Sequence, residues 1–110
     1  MSPNLSEPFL HLVARRLQAV AEPNRIRILK MLEDGEANVQ DLTDELMTTH
    51  QNVSRHLAVL HQCGMVSRRK DGRTVWYSLA DFTALRLIDQ AAQSAAGQIE
   101  ELASIAGLDG

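Results

Sequence analysis

Hydrophobic residues in the middle of the chain recur at helical spacing in two successive runs. Each run places its apolar side chains on one side of a helix, and together they comprise Leu42, Leu46, Val53, Leu57 and Leu60. The pattern predicts two short helices, at about residues 38–46 and 49–62. Thr48 and Thr49 stand between them, where a hydroxyl can accept the free backbone N–H groups of a helix that starts at His50.

The first turns of the second predicted helix are polar on the side opposite the leucines. Glutamine and asparagine can form paired hydrogen bonds with adenine, arginine can do so with guanine, and serine reaches bases or phosphates. This arrangement is that of a helix-turn-helix whose second helix enters a major groove. We expect DNA contacts in this region from Thr49, His50, Gln51, Asn52, Ser54, Arg55 and His56.

The residues after the second helix predict a basic β-hairpin at about residues 65–79. Gly64 can end the helix in a left-handed conformation, and Asp71-Gly72 between two β-prone segments is a hairpin signal. A basic hairpin beside a recognition helix suits a wing that lies along DNA phosphates. Near its tip only Asp71 opposes the basic side chains, which are Arg68, Arg69, Lys70 and Arg73.

Further amphipathic segments precede this region. Pro8 is expected to open a first helix at about residues 9–20, whose apolar positions are Leu10, Val13, Leu17 and Val20. Pro23 is expected to open a second helix, which Gly35 ends.

The last segment, at about residues 82–105, has the most regular pattern. Its apolar residues alternate in steps of three and four, as in the seam between paired helices, and Gly97 is expected to break or bend the helix. Such a seam often packs within its own domain, but the helix-turn-helix already has its own core residues. We therefore assign the terminal helices to a two-fold dimer interface, formed by Leu10, Val13, Leu17, Leu85, Ile88, Ala92, Ala95 and Ile99.

Four segments, in matching order and spacing, resemble the signature of a known family. They are residues 21–29 (AEPNRIRIL), 53–60 (VSRHLAVL), 64–66 (GMV) and 71–79 (DGRTVWYSL). The chain resembles the ArsR-type winged-helix repressors, also called the ArsR/SmtB family, over about residues 10–95. The resemblance implies a mainly α fold with a small β-hairpin wing, dimerising through its N- and C-terminal helices. A dimeric repressor of this kind is expected to bind a pseudo-palindromic operator in double-stranded DNA.

Length and charge agree with one DNA-binding domain, residues 1–110. A chain of 110 residues buries only about two thirds of its unfolded surface, so a partner subunit would help to stabilise it. The formal net charge of −3 argues superficially against nucleic acid. However, residues 15–30 and 55–73 each sum to +4, whereas residues 31–54 contain six acids and no lysine or arginine. The second positive block coincides with the helix and hairpin, which favours a phosphate-facing surface.

The two metal sites that are common in ArsR-type proteins are absent from this sequence. The first would need thiols near residues 37–41, and the second would need a histidine where Thr83 stands. A non-standard site at His61 and Cys63 would need a further ligand, and a redox switch would need a resolving thiol. Cys63 is otherwise expected to be a small buried residue. We expect no metal and no cofactor, and leave open an unidentified small effector.

Other classes of function are less favoured. A winged helix that binds protein would carry apolar residues in place of Gln51, Asn52, Ser54 and Arg55. An enzyme is not expected, because the sequence has no catalytic carboxylate pair with histidine, nucleophile elbow or phosphate loop. No run approaches the ~18 apolar residues of a membrane-spanning helix, and the N-terminus lacks the features of a signal peptide. A cytoplasmic location without membrane association is therefore expected.

Overall fold

The computed structural model describes residues 5–107, in which five helices accompany a small three-stranded sheet. Residues 1–4, part of the stretch searched for a signal peptide, and residues 108–110 lie outside this description. In chain order the elements are α1 (Glu7–Val20), α2 (Pro23–Leu32), β1 (Ala37–Asn38), α3 (Val39–Leu46), α4 (His50–Gln62), β2 (Val66–Asp71), β3 (Thr74–Leu79) and α5 (Thr83–Ile105). This is the mainly helical architecture with a β-hairpin wing that the sequence predicts.

The core lies between α2, α3, α4 and the start of the wing. The leucines that predict α3 and α4 face inwards, and Leu42, Leu57 and Leu60 are completely buried. Ile28 and Leu29 of α2 join them from the neighbouring helix. Burial of each such side chain stabilises the fold by about 1.5–3 kcal/mol relative to exposure, so the helix-turn-helix is held from within the subunit.

Side-chain caps fix where these helices begin. The carboxylate of Glu22 accepts a hydrogen bond from the backbone N–H of Arg25 at the start of α2, at 2.9 Å. Asn38 caps α3 in the same way, through the N–H of Asp41 at 2.8 Å. A cap of this type contributes about 1 kcal/mol, and the next one, at Thr49, sets the start of the recognition helix.

The hairpin is confirmed, but the sheet has one strand more than expected. β2 and β3 pair antiparallel, with Asp71 opposite Thr74, so the two-residue loop is Gly72-Arg73 and lies one residue later than the Asp71-Gly72 signal. Gly72 has a φ of 63°, which glycine adopts without a steric penalty. β1 pairs with β3 at its other edge. Its two residues are too few to show an alternating pattern.

The terminal helices bury little of their length in this chain. In α1 only Ala19 and Val20 are buried, and in α5 only Ala84 and Leu85. α5 is continuous through Gly97, so of the expected break or bend the break is wrong. The Cα radius of gyration is 17.0 Å, above the ~13 Å expected for a compact domain of this length. The helices therefore project from the core as a surface available to another chain.

Candidate DNA-binding interface

The turn between α3 and α4 presents the start of α4 to solvent. Met47, in this turn, has a left-handed backbone with φ 53° and is 91% exposed. Thr49 follows as the N-cap of α4, and its hydroxyl accepts the backbone N–H of Asn52 at 3.1 Å. The threonine cap predicted from the sequence is thus confirmed.

Most of the expected DNA-reading residues lie on the outer side of α4. Gln51, Ser54 and Arg55 are exposed, and Asn52 is half-buried. Val53, on the opposite side, is completely buried. The outer side of α4 therefore carries an amide, a hydroxyl and a guanidinium, the groups that recognise base edges in a major groove.

A chain of hydrogen bonds orders part of this outer side. Nη2 of Arg55 donates to Oδ1 of Asn52 at 2.5 Å, and Nδ2 of Asn52 donates to Oγ1 of Thr48 at 3.1 Å. Asn52 thus forms one hydrogen bond at each end of its amide and orients Arg55 in this conformation. Gln51 and Ser54 have no side-chain hydrogen bond in the part of the chain that the structure describes.

His50 is held by a residue that the sequence did not single out. Its Nε2 lies 2.7 Å from Oε1 of Gln40, and Nε2 of Gln40 donates to Oδ1 of Asp44 at 2.7 Å. An amide oxygen only accepts, so Nε2 of His50 carries a proton. Gln40 lies on α3, ten residues earlier in the chain, and no local pattern marks such a contact.

His56 departs from the expected set of DNA contacts. It is only 7% exposed, with Nδ1 3.4 Å from Nη1 of Arg25 and 3.7 Å from Oε2 of Glu22. Burial lowers the pKa of His56; the carboxylate of Glu22 raises it, and Arg25 and Arg55 lower it. The imidazole therefore faces the interior beside Arg25 and Glu22, and not the outer side of α4 that carries Arg55.

The wing presents its basic side chains in two different settings. Arg68 and Lys70 alternate with Arg69 along β2, so they share one face of the strand, beside Val75 and Tyr77 of β3. No described residue forms a hydrogen bond or ion pair with the side chain of Arg68, Lys70 or Arg73, and all are exposed. These cations remain available to phosphates.

Arg69 is instead neutralised within the chain. Its guanidinium binds the carboxylate of Glu36 and lies 3.7 Å from that of Asp71. It also sits over the ring of Trp76, 6.0 Å from the centroid. The hydrogen bond from Arg69 lowers the pKa of Glu36. The sequence does not distinguish Arg69 from Arg68, because Glu36 is distant in sequence and comes beside the wing only in the folded chain.

An apolar surface outside the core is formed by α1 and α5. Its exposed members are Leu10, Leu12, Val13, Leu17, Leu87, Ile99, Leu102 and Ile105, and Ala92 and Ala95 are exposed beside them. An apolar groove of about 610 Å³ separates α1 from α5 near Leu17, Ile26 and Ile88.

Two expected interface residues are placed differently: Leu85 is 5% exposed within the subunit core, and Ile88 is half-buried against it. Leu85 follows the same spacing as the seam but lies where α5 meets the core.

The histidines and the cysteine do not converge on one another. Within residues 5–107, no group of three or more His, Cys, Asp or Glu side chains is arranged to hold a metal ion. Cys63 is half-buried at the C-cap of α4 rather than fully buried as expected. No helix in the same part of the chain has the length and apolar content needed to cross a membrane.

An exposed polar face on α4 beside a basic hairpin defines a winged helix-turn-helix DNA-binding protein. Residues 22–68 match the family model described as bacterial regulatory proteins of the arsR family. The chain is 41% identical to the transcriptional regulator CmtR of Mycobacterium tuberculosis over 81 residues, which cover 74% of this chain and 69% of CmtR. The protein belongs to the ArsR family of DNA-binding transcriptional regulators, which are not enzymes.

Two further relatives extend this comparison. The chain is 37% identical to the transcriptional activator HlyU of Vibrio cholerae over 73 residues. These residues cover 66% of this chain and 68% of HlyU. The solution structure of the homodimeric winged helix-turn-helix domain of Mb0332 from Mycobacterium bovis is similar, with a TM-score of 0.72 and 26% identity. That match covers 87% of this chain and 91% of the Mb0332 domain.

Proposed function

We propose that two copies of this chain form a homodimeric repressor that binds a pseudo-palindromic operator. The observation that carries the proposal is the combination of an exposed, polar recognition helix with two helices whose apolar sides have no cover in the subunit. The recognition helix supplies side chains that can contact base edges. The two apolar helices supply a surface that dimerisation would bury. The homodimeric state of the Mb0332 domain supports the same assembly.

The dimer follows from the apolar surface of α1 and α5. Exposed apolar patches often mark an interaction site, and Ile99 and Ile105 are 67% and 78% exposed. A two-fold interface buries the same patch on both subunits. We therefore place Leu10, Val13, Leu17, Ala92, Ala95 and Ile99 in the interface, with Ile88 at the edge of the groove and Leu85 excluded.

Base reading is assigned to the front of α4. Gln51, Ser54 and Arg55 would contact base edges, and His50 and Asn52 would contribute contacts or orient their neighbours. Arg68, Lys70, Arg73 and the hydroxyl of Thr49 would contact phosphates, which position the protein without specifying sequence. In a dimer, two such helices about 34 Å apart would enter successive major grooves on one side of the duplex.

Repression follows if the dimer occupies a promoter and excludes the polymerase. The family alone does not set the direction of the effect, because HlyU is a transcriptional activator. We propose regulation that does not use the two metal sites familiar in ArsR-type proteins, since the sequence lacks their ligands near residues 37–41 and at Thr83. A small effector in the groove between α1 and α5 is compatible with this assignment. The same assignment places the protein in the cytoplasm, with its DNA.

A promoter fusion tests the direction of regulation. The DNA upstream of the gene drives a reporter, with the protein supplied from a second, inducible promoter. We expect wild-type protein to lower reporter output and Arg55→Ala to restore it, while Glu45→Ala, an exposed change on α3, should behave as wild type. Higher output with wild-type protein would contradict repression and indicate an activator.

A further inference from the structure

Arg25 on α2 contacts both α1 and α4. Its Nε donates to the carbonyl oxygen of Ala19 at 2.7 Å, and its Nη2 donates to that of Gln18 at 3.2 Å. The guanidinium thus binds carbonyl groups at the C-terminal end of α1. Its Nη1 lies 3.4 Å from Nδ1 of His56, in the middle of the recognition helix. One planar side chain with several fixed donors joins the helix of the dimer surface to the helix that faces DNA.

The contact with His56 has a defined direction. A guanidinium donates hydrogen bonds and does not accept them, so Nδ1 of His56 accepts and the proton of the neutral ring lies on Nε2. The carboxylate of Glu22 approaches the same Nδ1 at 3.7 Å and also accepts the backbone N–H of Arg25 at 2.9 Å. Arg25 is therefore held in place at both its backbone and its side chain.

Arg16 on α1 supplies a second connection. Its Nη1 donates to the carbonyl oxygen of Cys63 at 3.0 Å, at the C-terminal end of α4. His56 and Cys63 are seven residues apart, which corresponds to about 10 Å along a helix. Two attachment points at this separation fix the direction of α4 relative to α1, whereas a single one would fix only a distance.

We propose that Arg25, together with Arg16, is a positioning residue for operator binding. The two arginines set the angle between α1 and α4 and hence the separation of the two recognition helices in the dimer. This inference rests on the proposed function, because it requires a dimer that reads two half-sites. Neither guanidinium needs to touch DNA. A change in the angle moves both recognition helices away from their grooves at once.

The arrangement differs from an ordinary helix cap in one respect. A cap at the end of α1 would need only the carbonyls of Gln18 and Ala19, and its loss would lower stability without altering the direction of α4. The further contact with His56, buried inside the fold, makes the position of α4 depend on the same side chain. Distances between the recognition helices therefore distinguish positioning from capping alone.

Distances between spin labels in the dimer test the inference without DNA. Ala58 is exposed on α4, so Ala58→Cys in a Cys63→Ser background carries one label per subunit. Pulsed electron paramagnetic resonance should give a narrow distance distribution for this parent protein. Arg25→Met and Arg16→Met are each expected to broaden or shift it. Arg27→Met is the matched control, because Arg27 lies on the same helix as Arg25 but, among residues 5–107, donates only to the side chain of Asn24.

Operators with altered spacing give the functional measurement. The distance between half-sites is changed by one base pair in either direction, and affinity is compared with that for the natural spacing. Arg25→Met is expected to reduce the preference for natural spacing by about 3- to 30-fold, the effect of a residue that modulates coupling between sites. Affinity for random DNA should stay the same, because no phosphate contact is lost.

The outcomes separate this inference from the proposed function. An unchanged distance distribution in Arg25→Met and Arg16→Met overturns the inference, even where operator binding by the wild type is specific. If Arg25→Met does not fold, Arg16→Met tests the inference instead, because Arg16 is exposed. An unchanged distance distribution in Arg16→Met then overturns the inference. If the wild type shows no operator preference while both variants broaden the distribution, the proposed function is refuted and the role in operator binding is overturned with it, although the two arginines still set the angle between α1 and α4. A monomeric wild type overturns both.

Discussion

Arg69 in the wing is bound to Glu36, which lies just before β1. Nη2 of Arg69 is 2.5 Å from Oε1 of Glu36, and its Nε donates to Oε2 at 3.1 Å. A phosphate that approaches Arg69 must therefore compete with a carboxylate already in place. Arg68 and Lys70 have no such competitor among residues 5–107. Neighbouring basic residues in one strand are thus expected to contribute unequally to DNA binding.

The wing can be tested through the salt dependence of binding. Arg68→Ala is expected to weaken binding to every DNA sequence and to reduce the slope of log affinity against log salt by about 1. Arg69→Ala should change both quantities less, and Glu36→Gln should strengthen binding because it releases Arg69. Fluorescence anisotropy titrations over a range of salt concentrations measure these effects. Equal losses in Arg68→Ala and Arg69→Ala would contradict the neutralising role of Glu36.

Base reading by α4 predicts a different response. Gln51→Ala or Arg55→Ala should each cost ~1–3 kcal/mol of binding free energy on the operator and relax the base preference at one position. Their effect on random duplex should be much smaller, since a base contact carries sequence information and a phosphate contact does not. Competition assays with single-base operator variants provide the measurement. Losses of equal size on specific and random DNA would show that these side chains contact phosphates.

The two ends of α5 should respond differently to substitution. Ile99→Glu places a charge on the exposed apolar surface and is expected to give folded monomers. Leu85→Ala removes a buried core side chain and should lower the free energy of unfolding by about 2–5 kcal/mol. Analytical ultracentrifugation measures the first effect and thermal unfolding the second. A dimer that persists in Ile99→Glu at micromolar concentration would place the interface elsewhere.

Acid is expected to destabilise the protein through His56. Because burial lowers its pKa in the folded state, the unfolded chain takes up a proton below pH ~6.5 that the folded chain does not. The contribution of the neutral His56 to the free energy of unfolding is fully present above that pH. It is lost as the pH falls through the lowered pKa of the folded state. Chemical denaturation at several pH values should show a smaller loss in His56→Gln than in the wild type. Identical pH dependence in the two proteins would show that His56 does not carry the effect.

Helices and wing could be predicted because their signals are local. The spacing of Leu42, Leu57 and Leu60, the cap at Thr49 and the Asp71-Gly72 dipeptide each act over a few residues. The helices of the helix-turn-helix and the hairpin of the wing therefore follow from neighbouring residues alone. β1 was missed because its pairing with β3 links segments far apart in sequence.

The site was less predictable because its contacts cross between elements. His56 follows Arg55 directly, yet one faces the core and the other faces outwards. Nothing in the sequence places Glu36 beside Arg69, or Arg25 against His56, since these pairs form only when the helices pack. Leu85 shares the spacing of the dimer seam but is buried where α5 begins, so periodicity alone could not separate core from interface.

Binding to the DNA upstream of its own gene tests the proposed regulator most directly. The purified protein is titrated against this duplex and against a scrambled duplex of the same composition, at ~0.15 M salt where non-specific affinity is weak. We expect preference for the upstream duplex by about 10³-fold or more, as for sequence-specific DNA-binding proteins. Equal affinity for the two duplexes, or no binding to either, would contradict a sequence-specific regulator acting at its own promoter.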